Sequence, residues 1–234
     1  MDMITIHNLK KYYTNPVIGR GSKKPVVKAL DGVDLTIARG KFTAIIGASG
    51  SGKTTLLNMM GGLDMPTEGE VIVDGINLSS LREEELAVFR RKKTGFIFQN
   101  YNLVPTLTVE ENILFPLDLD GAAPDMRFLE EITELLGLAD KLEHYPDMLS
   151  GGQQQRVAIA RALAAKPPVI LADEPTGNLD SRNGQNVAGL LKMTAEIYHR
   201  TLVMVTHNPE LAQMADRVIR MRDGRIAESR VMPC

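Results

Sequence analysis

The chain is poor in cysteine, in charge of one sign and in long apolar runs. Cys234 is the only cysteine among 234 residues, so no internal disulfide can form, as suits a reducing compartment. Twenty-seven Lys and Arg oppose 29 Asp and Glu, a formal net charge of −2. Nucleic-acid binding calls for an extended basic face, which this balance does not supply, and no nucleic acid partner is expected. No apolar run approaches the roughly 20 residues that span a bilayer. The longest, such as Val169–Ala172 and Leu202–Val205, have the length of strands. Met1-Asp2-Met3-Ile4-Thr5 has neither a basic lead nor an apolar core and does not read as a secretory signal. By itself the chain is not expected to carry anything across a membrane.

At roughly 150 residues per domain, the length lies between one and two domains, and 44% hydrophobic residues suffice for a large core. The apolar runs alternate with helix-length segments. Phe42–Ile46 leads into a glycine loop and then a helix from Lys53 to about Gly61; Val169–Ala172 and Leu202–Val205 are likewise followed by polar turns and helices. Continuous apolar strands of this kind belong to a parallel sheet covered on both faces, so the fold class is α/β. Ile4–Ile6, Val33–Ile37 and Glu70–Asp74 alternate instead, like half-exposed antiparallel strands. Residues from about 100 to 165 read as mostly helical. Thr108-Val109-Glu110-Glu111 forms a capping box, and Ser80-Leu81-Arg82-Glu83 offers a second. Thr14 to Lys28, broken by glycine and proline, reads as a surface loop.

Gly47-Ala48-Ser49-Gly50-Ser51-Gly52-Lys53-Thr54 matches G-x-x-x-x-G-K-[ST], with a strand entering and a helix leaving. Glycines let successive backbone N–H groups turn toward phosphate oxygens, and the helix start adds partial positive charge. Lys53 would reach the β- and γ-phosphates, and the Thr54 hydroxyl would bind Mg²⁺. Such a site needs a carboxylate at the end of a second strand, and Val169–Asp173 supplies Asp173 for the metal. Glu174 follows at once, placed to orient a water as general base, which predicts hydrolysis of ATP rather than transfer to another acceptor.

Leu149-Ser150-Gly151-Gly152-Gln153 precedes a helical stretch from Gln154 to about Ala165, with Ser150 where an N-cap would stand. This is a second anion-binding helix start without a lysine loop of its own. The simple solution is two copies of the chain facing each other, each completing the other's site.

Leu149–Gln153 is also the LSGGQ signature, and the order of motifs along the chain resembles the ATP-binding-cassette (ABC) ATPases from Ile4 to about Arg230. The resemblance implies a RecA-like P-loop NTPase core with an antiparallel β subdomain and a helical signature subdomain at about 100–165, all in one cassette over residues 1–234. It implies that Tyr13, beside Tyr12, stacks on adenine, and that Gly47 to Lys53 together with Thr54 and Thr55 hold the phosphates. It implies that Gln99 touches Mg²⁺ and the attacking water, and that Asn178-Leu179-Asp180 crosses the dimer axis. His207 would contact the γ-phosphate, while Ser150, Gly151, Gly152, Gln153 and Asp180 would serve the partner cassette's ATP. The implied partners are a second cassette in the ATP-bound state and an integral-membrane permease, at the cytoplasmic face of a bacterial membrane.

Finer similarity in Gly95–Leu103, Pro175–Ser181 and Ala215–Ile219 points to the branch of macrolide exporters, lipoprotein-releasing systems and antimicrobial-peptide resistance modules. The 14–28 segment is longer than that branch has it. The resemblance also places the permease against the apolar segment Asn100–Leu107. The alternative within the same branch is a cell-division ATPase that drives cell-wall hydrolases through a membrane partner without transport. A coiled-coil DNA-repair ATPase is opposed by the roughly 95 residues between loop and signature, and a two-cassette translation factor by the single lysine loop. A small-molecule kinase is opposed by the signature and by Glu174.

Overall fold

The continuous apolar runs become the centre of a sheet. In a computed structural model that describes residues 1–14 and 26–232, β3 (Phe42–Gly47), β7 (Val169–Asp173) and β8 (Thr201–Val205) are buried along most of their lengths. Together with β6 (Thr94–Phe98) and β9 (Arg217–Arg222) they run parallel. An exposed antiparallel strand, β10 (Arg225–Val231), completes the order β10-β9-β3-β8-β7-β6. Successive side chains of a strand point to opposite faces, and here both faces meet a core. Val169, Leu171, Val203 and Val205 pack with Leu56 and Leu57 of α1 (Lys53–Met60), whereas Ile170, Ala172, Leu202 and Met204 pack with Val157 and Ile159 of α5 (Gly151–Ala164).

The alternating segments form a second sheet. β1 (Asp2–Thr14), β2 (Val26–Ala38), β4 (Glu68–Val73) and β5 (Ile76–Asn77) pair antiparallel in the order β2-β1-β4-β5. Ile4, Ile6, Leu35, Ile37 and Val71 of this sheet share the core that contains α1. The surface loop expected over 14–28 lies mostly outside the described residues, but its ends are strand. Tyr13 pairs with Val27 and Thr14 with Val26, an aromatic and β-branched pairing that extends the hairpin beyond the run that alternation alone marked.

Helices α3 (Val109–Asp120), α4 (Met126–Leu135) and α5 fill the expected helical stretch and share one core with the parallel sheet; α6 (Ser181–Ile197) lies on the same side. The box that starts α3 is as read: Thr108 Oγ1 accepts from Glu111 N at 3.2 Å, and Glu111 Oε2 accepts from Thr108 N at 2.7 Å. The second expected box is not made at Ser80. Its hydroxyl instead donates to Asn77 O at 2.8 Å and closes a short 3₁₀ turn, while α2 (Glu83–Lys93) starts later, with Glu85 accepting from Arg82 N at 2.9 Å. A serine hydroxyl committed to the preceding turn cannot also cap the next helix. The signature helix begins at Gly151, ahead of the expected Gln154, because Ser150 and Gln153 form a capping box of their own. The short α7 (Pro209–Ala212) follows β8 and is capped by Asn208.

Between β6 and α3 the chain is held by one fully buried polar residue. Asn112 accepts from Val104 N at 2.8 Å and donates to the carbonyls of Val104, Leu107 and Thr108. Replacing it leaves the part-buried Val104 amide and three carbonyls without this partner, which costs about 1–3 kcal/mol. Asn112→Ala is therefore expected to lower stability by that amount in urea unfolding; an unchanged midpoint would mean that the 104–108 turn holds itself.

Candidate functional site

The glycine loop bridges β3 and α1 in a backbone shape that side chains resist. Gly50 and Gly52 have φ of +75° and +98°, a region open to glycine at little cost. A Cβ on Gly52 would stand 2.4 Å from Ala29 O, and one on Gly47 would stand 2.5 Å from Met221 O. The loop is thus seated directly on the backbones of β2 and β9. Gly224, in the turn between β9 and β10, ties it further by donating from its N–H to Ser51 O at 3.1 Å.

Lys53 is buried, and its ammonium donates to Gly47 O at 3.1 Å and Ala48 O at 2.9 Å. Its charge has no carboxylate within ion-pair distance among the described residues. The Ser51 hydroxyl is buried without a hydrogen-bonding partner. An unpaired buried cation and an orphan hydroxyl in one loop are what a phosphate anion would satisfy.

Thr54 Oγ1 donates to Asp173 Oδ1 at 3.2 Å across the gap between α1 and β7. Burial holds the Asp173 carboxyl above its ordinary pKa, the Thr54 hydrogen bond opposes that, and the neighbouring Glu174 charge adds to it. A divalent cation between these two oxygens would relieve the shift. No group of three or more His, Cys, Asp or Glu converges among the described residues. A cation here would accordingly take its remaining ligands from phosphate and water, as magnesium commonly does. The donor set fits Mg²⁺ with a nucleotide.

Glu174 adopts the left-handed conformation at φ +46°, which costs a non-glycine residue about 1–2 kcal/mol. Hydrogen bonds hold it there: its N–H donates to Val205 O at 3.0 Å and its carbonyl accepts from Gly177 N at 2.9 Å. The carboxylate turns toward His207, with Oε2 3.1 Å from Nδ1. Glu174, His207, Lys53, Thr54, Thr55, Ser49, Gly47, Gly50, Gly52 and Tyr13 line one open cleft of about 610 Å³.

Tyr12 and Tyr13 fall on opposite faces of β1. Tyr13 faces the cleft, while the Tyr12 hydroxyl donates to Asp31. Val27, Lys28 and Ala29 also line the cleft; sequence reasoning missed them because only the closed β1–β2 hairpin brings them there. The other expected residues lie elsewhere. Gln99 donates from Nε2 to Asn178 Oδ1 at 3.1 Å and lies over Gly177. Asp180 caps α6 by accepting from Asn183 N at 3.0 Å. Ser150, Gly151, Gly152 and Gln153 form the first turn of α5, where Gly151 lies beside Leu179 and the Tyr101 hydroxyl. None of these lines the Lys53 cleft. Both α5 glycines present helix-start N–H groups that have no acceptor in their own helix.

A glycine loop on a strand-to-helix turn, a buried lysine and a carboxylate at the end of β7, a parallel strand separated from β3 by β8, define a P-loop nucleotide-binding protein. The more particular assignment comes from comparison with known proteins. The profile of the family described as ABC transporter matches residues 30–177. An uncharacterized ABC transporter ATP-binding protein of Methanocaldococcus jannaschii is 49% identical over 228 residues, covering 97% of this chain and 98% of that protein. The macrolide export ATP-binding/permease protein MacB of Rhodopirellula baltica is 45% identical over 97% of this chain, which spans 33% of that protein's length. A solved dimeric structure of the ATP-binding cassette MJ0796, in a post-hydrolysis state bound to ADP and Pi, superposes with a TM-score of 0.86 at 42% identity, covering 99% of this chain and 100% of that one. The chain belongs to the ABC transporter family, as an ATP-binding cassette with ATPase function.

The loop geometry makes a direct prediction. Gly52→Ala places a methyl group against Ala29 O at a φ that alanine avoids, so the loop must shift while the core beneath it stays. ATP affinity measured by calorimetry should fall by at least about tenfold, the worth of a single charge-assisted hydrogen bond. Unaltered affinity would show that the observed loop shape is not required for binding.

Proposed function

We propose that this cassette hydrolyses Mg²⁺-ATP with Glu174 as general base, and that it works as one of a pair driving a membrane-embedded permease. The observation that carries the reading is the Glu174–His207 pair, which stands at the mouth of the Lys53 loop and one residue beyond Asp173.

Thr54 and Asp173 would hold Mg²⁺, which when bound would supply positive charge to offset that of the phosphates. Lys53 exchanges its two loop carbonyls for phosphate oxygens, and the loop amides cradle the rest. The Glu174 carboxylate accepts a proton from water as the water oxygen bonds to the γ-phosphorus, and the bond to the β–γ bridging oxygen breaks. ADP and phosphate result. His207 steadies Glu174 in the free cassette and takes the γ-phosphate when nucleotide is present. Gln99, which donates to Asn178 in this structure, would serve the metal as a ligand and orient the attacking water.

Supporting the pairing is the separation of the two anion sites within one chain. The Ser150–Gly152 helix start does not line its own chain's cleft and would close on the γ-phosphate of a second copy, with Asp180 alongside. Moving such an equilibrium from mostly open to mostly closed takes about 5.5 kcal/mol of differential binding, which two Mg²⁺-ATP molecules sandwiched between charged surfaces can supply.

Supporting a permease partner is a groove of about 310 Å³ floored by Phe96, Phe98, Phe115 and Leu119. Phe115 and Leu119 are exposed, whereas Leu103, Val104 and Leu107 of the expected contact segment are half-buried. The exposed apolar side chains thus lie on α3 beside that segment. No described helix is long and apolar enough to cross a membrane, so association would be peripheral, at the cytoplasmic face. The work performed would be export, extraction or mechanical transmission, as in the macrolide, lipoprotein and antimicrobial-peptide branch.

Glu174→Gln should retain ATP binding and lose steady-state hydrolysis by at least about a hundredfold, the usual worth of a general base. Near-normal turnover would remove Glu174 from the role. The same variant should elute as a dimer with ATP during size-exclusion chromatography and as a monomer without it; a persistent monomer would count against the sandwich.

A further inference from the structure

The adenine end of the cleft carries an arrangement that the hydrolytic reading does not use. Tyr13 lies one residue before the end of β1 and is 39% exposed, a setting in which an aromatic side chain ordinarily samples several rotamers. Here it is tethered at two points. Its hydroxyl donates to Asp64 Oδ2 at 2.7 Å, with the Thr55 side chain alongside. The Lys11 ammonium sits 5.0 Å from the ring centroid. Lys11 also donates to Asp64 Oδ1 at 2.6 Å and to Met65 O at 2.8 Å. Tyr13 lines the cleft, whereas Lys11 does not.

Asp64 stands just beyond the end of α1, after Gly61 and Gly62, and Lys11 is two residues before Tyr13 on the same face of β1. The three side chains therefore tie the last turn of the antiparallel hairpin to the helix that carries the phosphate loop. Asp64 accepts from both partners with different oxygens, a geometry that a carboxylate satisfies and alanine cannot.

We infer that Asp64, with Lys11, is a positioning residue that holds Tyr13 in its stacking orientation before a purine nucleotide arrives. This rests on the reading of Tyr13 as the adenine platform. An immobilised ring spares the complex the ordering cost that a mobile side chain imposes on binding, and that cost corresponds to about three- to tenfold in affinity. Asp64 does not line the cleft, so an effect passed through Tyr13 would reach the base and not the phosphates.

The test compares ATP, ADP and inorganic tripolyphosphate as ligands of the full chain by calorimetry. Asp64→Ala should weaken ATP and ADP by about three- to tenfold, leave tripolyphosphate unchanged, and raise KM for ATP by the same factor with kcat maintained. Tyr13→Phe, which keeps the ring and the Lys11–Asp64 pair, should reproduce the loss, and the double variant should be no worse than either single one, because both cut the same contact. Tripolyphosphate weakened equally, or additive losses in the double variant, would overturn the inference, since Asp64 would then be supporting the loop or the fold. Should Asp64→Ala fail to fold, Tyr13→Phe decides alone, and undiminished ATP affinity in it refutes the tether. Tyr13→Ala separates the two levels: if it leaves the ratio of ATP to tripolyphosphate affinity unchanged, the platform reading itself fails. If it lowers that ratio while Asp64→Ala does not, only the positioning role fails.

Discussion

The parallel register of the central sheet is the constraint on which the rest of the site depends. Phe98 and Val205 both stand opposite Asp173, one on each side. The ladder continues one residue past the strands, where Glu174 N donates to Val205 O and Thr206 N donates to Ile45 O. Gly47, Gln99, Glu174 and His207 are thereby brought to one end of the sheet although well over a hundred residues separate the first from the last. Parallel strands direct their carboxyl ends the same way, so loops remote in sequence converge there. A slip of one residue in β7 would exchange its two buried faces and move Asp173 off Thr54; the apolar character of both faces and the site share one register.

A chain with almost no net charge meets a highly charged ligand through its backbone. On the proposed reading, loop amides and helix starts supply most of the donors, and Lys53 adds one buried cation. The cost appears as local strain: Glu174 in a left-handed conformation, glycines pressed against Ala29 and Met221, and an orphan hydroxyl on Ser51. Such features persist where the surroundings over-determine them. Ile45, Leu56, Leu171, Val203 and Val205, each fully buried around the loop, are those surroundings. Rigid apolar packing below and strained polar backbone above are two aspects of one arrangement.

The parts legible in the sequence were those fixed by local pattern. Val169–Ala172 and Leu202–Val205 announce buried strands by composition alone, and the spacing of Gly47, Gly52 and Lys53 announces the loop because each residue type meets a need of its own position. The Thr108 box was legible for the same reason. Ser80 was misread because two turns competed for one hydroxyl, and sequence does not say which closes first. Val27 and Ala29 were invisible because their place in the cleft depends on pairing across a long hairpin. The pairing of Gln99 with Asn178 joins loops that follow different strands, and no spacing rule links 99 to 178. Local chemistry is written along the chain, whereas contacts set by topology emerge only when the sheet assembles.

The same distinction explains how the second anion site is connected to the fold. After β6, Tyr101 and Asn102 adopt successive left-handed conformations, with φ of +60° and +49°. Two such residues in a row would relax if left free. Arg161 of the signature helix prevents this by donating to the carbonyls of Tyr101 at 2.7 Å and Asn102 at 2.6 Å, and its own burial lowers its pKa. The Tyr101 hydroxyl meanwhile reaches the space beside Gly151. The strained segment and the helix that begins at Ser150 are thus fastened at both ends of α5. The Lys53 loop is fastened separately, to Ala29 and to the β9–β10 turn. Gln99 lies at the junction, with its backbone leaving β6 and its amide on Asn178. The two helix starts are thus fastened to the fold by different contacts, although both rest on the parallel sheet.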